Sequence, residues 1–352
     1  MQETVPPCGG APRPIEVLRY APPARTATVG VFVVLPGLHF LGPADHRLDR
    51  FCRILAAAGH EVVAPFLPDY AALRITRDTI ADARLVVQHA AARAAARGWP
   101  RPAIFSISFG SLPALGVAAD RVGREHVGAL VLFGGYCDFS TALRFSLTGR
   151  APTADDASPV DLPHDPLNAP AAFINLLPHF GPAVVDDPRA LADAWRDMAR
   201  RTWGHPHLRP LAHRRAIAAV VGANLSPRDR SLFEDGCGLR PERLPAWLDR
   251  GVARAGDAMA FAEGAPLARA VTAPVVVCHG RDDDVIPHHE ATRLYRALGG
   301  PRRRHRLFIT GLYAHTGAAP LASAAAIGRE LATLRGLVFA LVDAATEGHP
   351  HF

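Results

Sequence analysis

One segment leaves the chain little choice of conformation. Ile104, Phe105 and Ile107 make an apolar run, and Leu112, Leu115 and Val117 follow at helical spacing. Between them stands Ser108, with the small residue Ser106 two places before it and Gly110 two places after. That is strand, sharp turn and helix, because backbone must pack closely on both sides of the projecting side chain at the turn. Such a turn lifts the Ser108 hydroxyl above a sheet and aims the unpaired N–H groups of the helix N-terminus at the same spot. Ser108 is therefore a candidate nucleophile, in the pattern G-x-S-x-G with serine in place of the first glycine.

The rest of the chain can be set around this turn. Val29–Leu35 and Gly128–Tyr136 are β-rich runs without polar alternation, as strands buried on both faces require. Glu61–Pro65 is a shorter strand, and Ile15–Tyr20 alternates as a sheet-edge strand would. Leu48, Phe51, Cys52, Leu55 and Ala56 recur at helical spacing, and Thr79–Arg97 is again helical. Strand signals return at Ala273–Cys278 and His305–Ile309, and a closing helix runs from about Pro320 to Ala345. Regular alternation with short connections predicts a doubly wound, mostly parallel α/β sheet, whose sites lie beyond the carboxyl ends of the strands.

From about Asp138 to Ala270 the rhythm breaks into proline-punctuated helical pieces: Ala171–Leu177, Pro188–Trp203, Leu211–Val221 and Pro241–Met259. A stretch this long is no loop in a compact domain. The expected organisation is a core domain of residues 1–138 and 271–352, with a helical cap of residues 139–270 inserted into it.

Composition serves mainly to exclude. Across 352 residues, 49% hydrophobic and 20% charged content puts the chain among ordinary globular proteins. The net charge of +6 is dispersed, and the run Arg302-Arg303-Arg304-His305-Arg306 reads as a solvated turn before a strand, so no nucleic-acid partner is expected. The chain has no lysine, which rules out Schiff-base chemistry and a pyridoxal cofactor. Five scattered cysteines without C-x-x-C spacing argue against a disulfide framework and a zinc site, and His205-Pro206-His207 lacks ligand companions. No G-x-G-x-x-G or P-loop appears, so no nucleotide cofactor is indicated, and with the Cys and His spacing neither metal nor cofactor is expected. The first residues lack the pattern of a signal peptide, and the apolar stretch Leu337–Val342 is too short to span a bilayer. A cytoplasmic protein without a membrane anchor is expected, with the number of chains per assembly left open.

A serine hydroxyl needs a base to take its proton, and the base needs an orienting acid. The strand Val275–Cys278 runs into His279-Gly280-Arg281-Asp282-Asp283-Asp284, with Pro287 beyond, and the strand Leu307–Ile309 runs into Thr310-Gly311-Leu312-Tyr313-Ala314-His315. An acid and a histidine thus follow two successive strands, both after the serine.

In this order the sequence resembles the α/β-hydrolase family, over residues 15–138 and 271–345. The family's late acid commonly sits in H-G-x-x-D-x-x-x-P, which His279, Gly280, Asp283 and Pro287 match. The resemblance implies that Ser108 attacks a carbonyl carbon, His315 takes and returns the proton, and Asp283 holds the imidazole, with Asp282 and Asp284 as neighbouring alternatives. It also implies an oxyanion hole from the N–H of Phe109 and one after the first buried strand. There the family's H-G pair is replaced by Pro36-Gly37, which leaves the N–H of Leu38 as the second donor. His39 is either a substrate contact or an ordinary loop histidine. Implied overall is a serine hydrolase cleaving a carboxylic ester, or less expectedly an amide, of a small-molecule acyl substrate through an acyl-enzyme. An acyltransferase using the same residues and a non-catalytic binding protein of the same fold are the alternatives. Phe173, Leu176, Leu177, Phe180, Trp195, Trp203 and Trp247 either wall an apolar pocket or form the core of the cap.

Overall fold

The computed structural model describes residues 1–7, 13–24, 26–153, 158–302, 305–311 and 324–346. Strands β1 (Gln2–Val5), β2 (Ile15–Tyr20), β3 (Gly30–Leu35), β4 (His60–Pro65), β5 (Ala103–Ile107) and β6 (Ala129–Phe133) precede the insertion. The insertion contains a two-stranded hairpin, β7 (Arg150–Ala151) and β8 (Val160–Asp161). Strands β9 (Val275–Gly280) and β10 (His305–Thr310) follow it. Among the described residues eight strands form one sheet in the order β1-β2-β4-β3-β5-β6-β9-β10. Strand β2 is antiparallel to both β1 and β4, and every other pairing in this sheet is parallel. This is the expected α/β architecture. Ile15–Tyr20 is not the edge, however: β1 covers it. With four residues and only Val5 fully buried, β1 carries too little pattern to be read from sequence.

The helices of the core are α1 (His46–Ala57), α2 (Pro68–Ala71), α3 (Arg77–Ala95) and α4 (Ser111–Ala119). Those of the insertion are α5 (Phe139–Thr148), α6 (Ala169–Leu176), α7 (Pro188–Thr202), α8 (Leu211–Val221), α9 (Pro227–Gly236), α10 (Leu244–Ala255) and α11 (Gly264–Ala270). Helices α12 (His289–Ala297) and α13 (Ala324–Thr346) follow among the described residues. The unbroken apolar content of β3 is explained by its two covered faces. Val31, Val33 and Leu35 pack into the layer of α3, α4, α11 and α12, while Phe32 and Val34 pack into that of α1 and α13. Each fully buried Val, Leu or Phe there contributes roughly 1.5–3 kcal/mol.

The insertion lies over the carboxyl ends of the strands. Its buried aromatics Phe173, Phe180, Trp195 and Phe233 belong to one apolar cluster with Leu67, Tyr70, Phe109, Leu112 and Tyr136, which come from the segments that follow β4, β5 and β6. Asn175 of α6 ties the two parts further. Its amide donates to the carbonyls of Leu73 (3.0 Å) and Ala171 (2.8 Å) and accepts from the Ile75 N–H (2.7 Å). This holds Leu73 in the left-handed region at φ +57°. Among the described residues no helix is long and apolar enough to cross a membrane.

Candidate active site

Strand β5 ends at Ile107, and Ser108 turns the chain at φ +53° into the first turn of α4. A side chain in that region costs roughly 1–2 kcal/mol, so the surrounding packing must impose it. Two glycines show how. A β-carbon on Gly110 would lie 2.6 Å from the Pro36 carbonyl oxygen and 2.9 Å from that of Leu35. One on Gly37 would lie 3.3 Å from both the Ile107 oxygen and the Ser108 β-carbon. The turns after β3 and β5 therefore press backbone against backbone, which only small residues allow. Ser106 fits where a glycine was expected because its hydroxyl turns away, donating to the Val131 carbonyl at 3.4 Å. The buried Tyr70 hydroxyl donates to the Phe109 carbonyl (2.7 Å) and fixes the far side of the turn.

Leu38 and Phe109 both line the cavity over Ser108, as does His39. The N–H of Phe109 lies in the first turn of the helix, where no intrahelical acceptor exists. His39 Nδ1 accepts the Leu41 N–H at 3.2 Å, so its neutral ring carries the proton on Nε2, which faces Asp45 Oδ2 at 4.0 Å. Burial lowers the pKa of His39 more than Asp45 raises it. Asp45 itself is held below its ordinary value: burial opposes this, but hydrogen bonds from Arg47 prevail.

Asp283 follows β9. Its Oδ1 accepts the N–H groups of Val285 and Ile286, each at 2.9 Å, and its Oδ2 lies 3.3 Å from His279 Nε2. A β-carbon on Gly134 would meet Asp283 Oδ2 at 3.6 Å and the Ser108 nitrogen at 3.9 Å, so elbow and carboxylate flank the same glycine. The neighbouring carboxylates are placed elsewhere. Asp282 is exposed, and Asp284 points to Arg209 at 2.6 Å. His315 lies outside the described residues. Strand β10, which precedes His315 in sequence, is anchored at its end by Glu330 of α13, which accepts from the Thr310 hydroxyl (2.8 Å) and the Gly311 N–H (2.9 Å).

The cavity measures about 920 Å³. On one side it is walled by Phe51, Phe105 and Phe133, and on the other by Ala171, Ala172 and Trp203 of the insertion. Trp203 stacks on His39 (5.6 Å between centroids, 27°), closing core to insertion, whereas Phe173 and Trp195 are buried within the insertion core. Sequence reasoning did not single out Ala172 or Asn175. For Asn175 a signal exists, a lone amide in the apolar run Phe173-Ile174-Asn175-Leu176-Leu177; for Ala172 none does.

No protein-family model and no curated protein matches the sequence. Solved structures do match in fold. Brefeldin A esterase, a bacterial homologue of human hormone sensitive lipase, aligns at 14% identity and a TM-score of 0.52, over 99% of this chain and 77% of that one. The acylaminoacyl peptidase of Pyrococcus horikoshii aligns at 11% identity and 0.50, over 100% of this chain and 42% of that one. With the strand order and the strained serine turn, these likenesses define the class: the chain has the α/β-hydrolase fold.

Proposed function

We propose that this protein is a serine hydrolase that cleaves carboxylic esters through an acyl-enzyme. The observation that carries the reading is Ser108, held at φ +53° on the wall of a large, mainly apolar cavity with a buried carboxylate across Gly134. A strained, non-glycine residue projecting a hydroxyl at such a place is what a nucleophile elbow requires.

In this reading the Ser108 Oγ attacks the ester carbonyl carbon as His315 takes its proton, and the N–H groups of Leu38 and Phe109 receive the oxyanion. Collapse of the tetrahedral intermediate breaks the bond to the alkoxy group, and His315 returns the proton to the departing alcohol. Water, deprotonated by His315, then attacks the acyl carbon and releases acid and free serine. Asp283 fixes the imidazole tautomer and stabilises its cation. The core of residues 1–138 and 271–352 supplies these groups, and the cap of residues 139–270 supplies the wall against which an apolar acyl or alcohol group lies. His39 contacts the substrate through Nε2–H.

The test is labelling with a fluorophosphonate, located by mass spectrometry. Label on Ser108 of the wild type, absent from Ser108→Ala and His315→Ala, is expected. Folded wild-type protein that takes no label at Ser108 would refute the reading.

A further inference from the structure

The loop that carries Asp283 is gripped from outside by the insertion, through contacts that no motif announces. Arg209, in the turn before α8, donates from Nη2 to Asp284 Oδ2 (2.6 Å) and to Asp165 Oδ2 (2.8 Å). The Asp165 N–H donates to the Asp284 carbonyl at 2.8 Å. Residue 284 is thus bound by both its side chain and its backbone to residues of the insertion.

The peptide unit between Asp284 and Val285 makes this grip consequential. Its C=O accepts from Asp165, and its N–H donates to Asp283 Oδ1 at 2.9 Å. One rigid plane therefore carries a hydrogen bond from the insertion at one end and a hydrogen bond to the carboxylate at the other. Bonds in such a series polarise one another and fix a common orientation. The far side of the clasp reaches the cavity. Asp165 and Leu167 both line it, Asp165 Oδ1 accepts the Leu167 N–H (3.0 Å), and Trp203 Nε1 donates to the Leu167 carbonyl (2.8 Å).

We propose that Arg209 is a positioning residue: with Asp165 it clasps Asp284 and, through the 284–285 peptide, sets the orientation of the Asp283 carboxylate from the insertion. The proposal rests on the hydrolase reading for the role of Asp283, but the clasp itself can be judged without turnover. The charge is required as well as the reach, since a single guanidinium nitrogen bridges two carboxylates that would otherwise repel.

The experiment compares wild type with Arg209→Ala, Arg209→Lys and Asp284→Asn by amide hydrogen exchange and by steady-state hydrolysis of a small acetyl ester. In Arg209→Ala, exchange at Val285 and Ile286 should rise while that of the β5 amides stays fixed. Turnover should fall on the order of 10- to 100-fold through kcat, with KM for the small ester nearly unchanged, since misplacement rather than binding is at fault. Arg209→Lys should restore part of both, and Asp284→Asn should, like Arg209→Ala, raise the exchange and lower kcat, each to a smaller extent. Should Arg209→Ala fail to fold, the last two variants carry the test. Exchange at Val285 and Ile286 that is unchanged in every folded variant would overturn the clasp, as would unchanged kcat in an active enzyme. A wild type that neither labels nor turns over esters would remove the hydrolase reading, leaving exchange alone to decide the clasp.

Discussion

Gly110 and Pro36 are in contact through backbone alone, and a β-carbon on Gly110 would stand 2.6 Å from the Pro36 carbonyl oxygen. No rotamer relieves that overlap, because both partners are main chain. Gly110→Ala must therefore push the turn after β3 away from the elbow, at a cost of about 1–3 kcal/mol. The same displacement separates Leu38 from Ser108. Expected is a lowered midpoint in urea together with loss of fluorophosphonate labelling. An alanine variant that labels at the wild-type rate would show that the two turns need not touch.

Ser108 and Leu73 are the non-glycine residues with positive φ among those described. Leu73 is held by Asn175, and Ser108 by the close packing of the turns after β3 and β5. Glycine adopts this conformation freely, whereas alanine keeps the strain. Ser108→Gly should thus be more stable than Ser108→Ala by roughly 0.5–1 kcal/mol, part of the relief being offset by glycine's unfolded-state entropy. Both variants should be inactive. Urea unfolding of the pair checks this, and equal midpoints would mean that the serine is not strained.

Which parts of this were legible in the sequence follows from how locally they are determined. The β3 and β5 runs, the small residues around Ser108 and the spacing from His279 to Pro287 are each fixed by neighbours in the chain, and fold and elbow followed from them. The short β1 and the helices α5, α9 and α11 were not read, since the apolar pattern of each is short or broken by charge, as in Pro227–Gly236. Long-range contacts left even less trace. Nothing near Arg209 in sequence points to Asp284, and the insertion gave no sign that Phe173 and Trp195 share one core with Phe109. Among Asp282, Asp283 and Asp284 the sequence offered three carboxylates, and only packing gives each its own surroundings.

Ala172 of α6 faces the cavity with a methyl group where a larger side chain would fill it. Ala172→Phe should shorten the space beside Ser108 without touching the elbow. The kcat/KM for long-chain acyl esters is expected to fall about 10- to 100-fold, with acetyl esters changed far less, since a pocket discriminates by the groups it must admit. A chain-length series measured on both proteins decides it. Equal losses for short and long esters would place the acyl group elsewhere.

The entry to α5 is held by two carboxylates that burial makes reluctant to ionise. Glu290 accepts the N–H groups of Cys137 (2.9 Å) and Asp138 (2.7 Å), and Glu263 accepts that of Phe139 (3.0 Å). Burial raises the pKa of both above the ordinary 4.5, against the lowering effect of these backbone bonds and, at Glu290, of Arg293. An acid with a raised folded-state pKa holds more protons folded than unfolded in the window that starts at 4.5 and ends at the raised value. The stability it contributes is therefore complete below that window and is lost as pH rises through it. Glu290→Gln keeps an acceptor for the Cys137 and Asp138 N–H groups but cannot ionise, so its unfolding free energy should decline less steeply with pH just above 4.5 than that of the wild type. Urea unfolding at closely spaced pH values measures the slope. An unchanged slope would mean that Glu290 is charged in the folded protein throughout, its burial fully compensated by Arg293 at 2.8 Å.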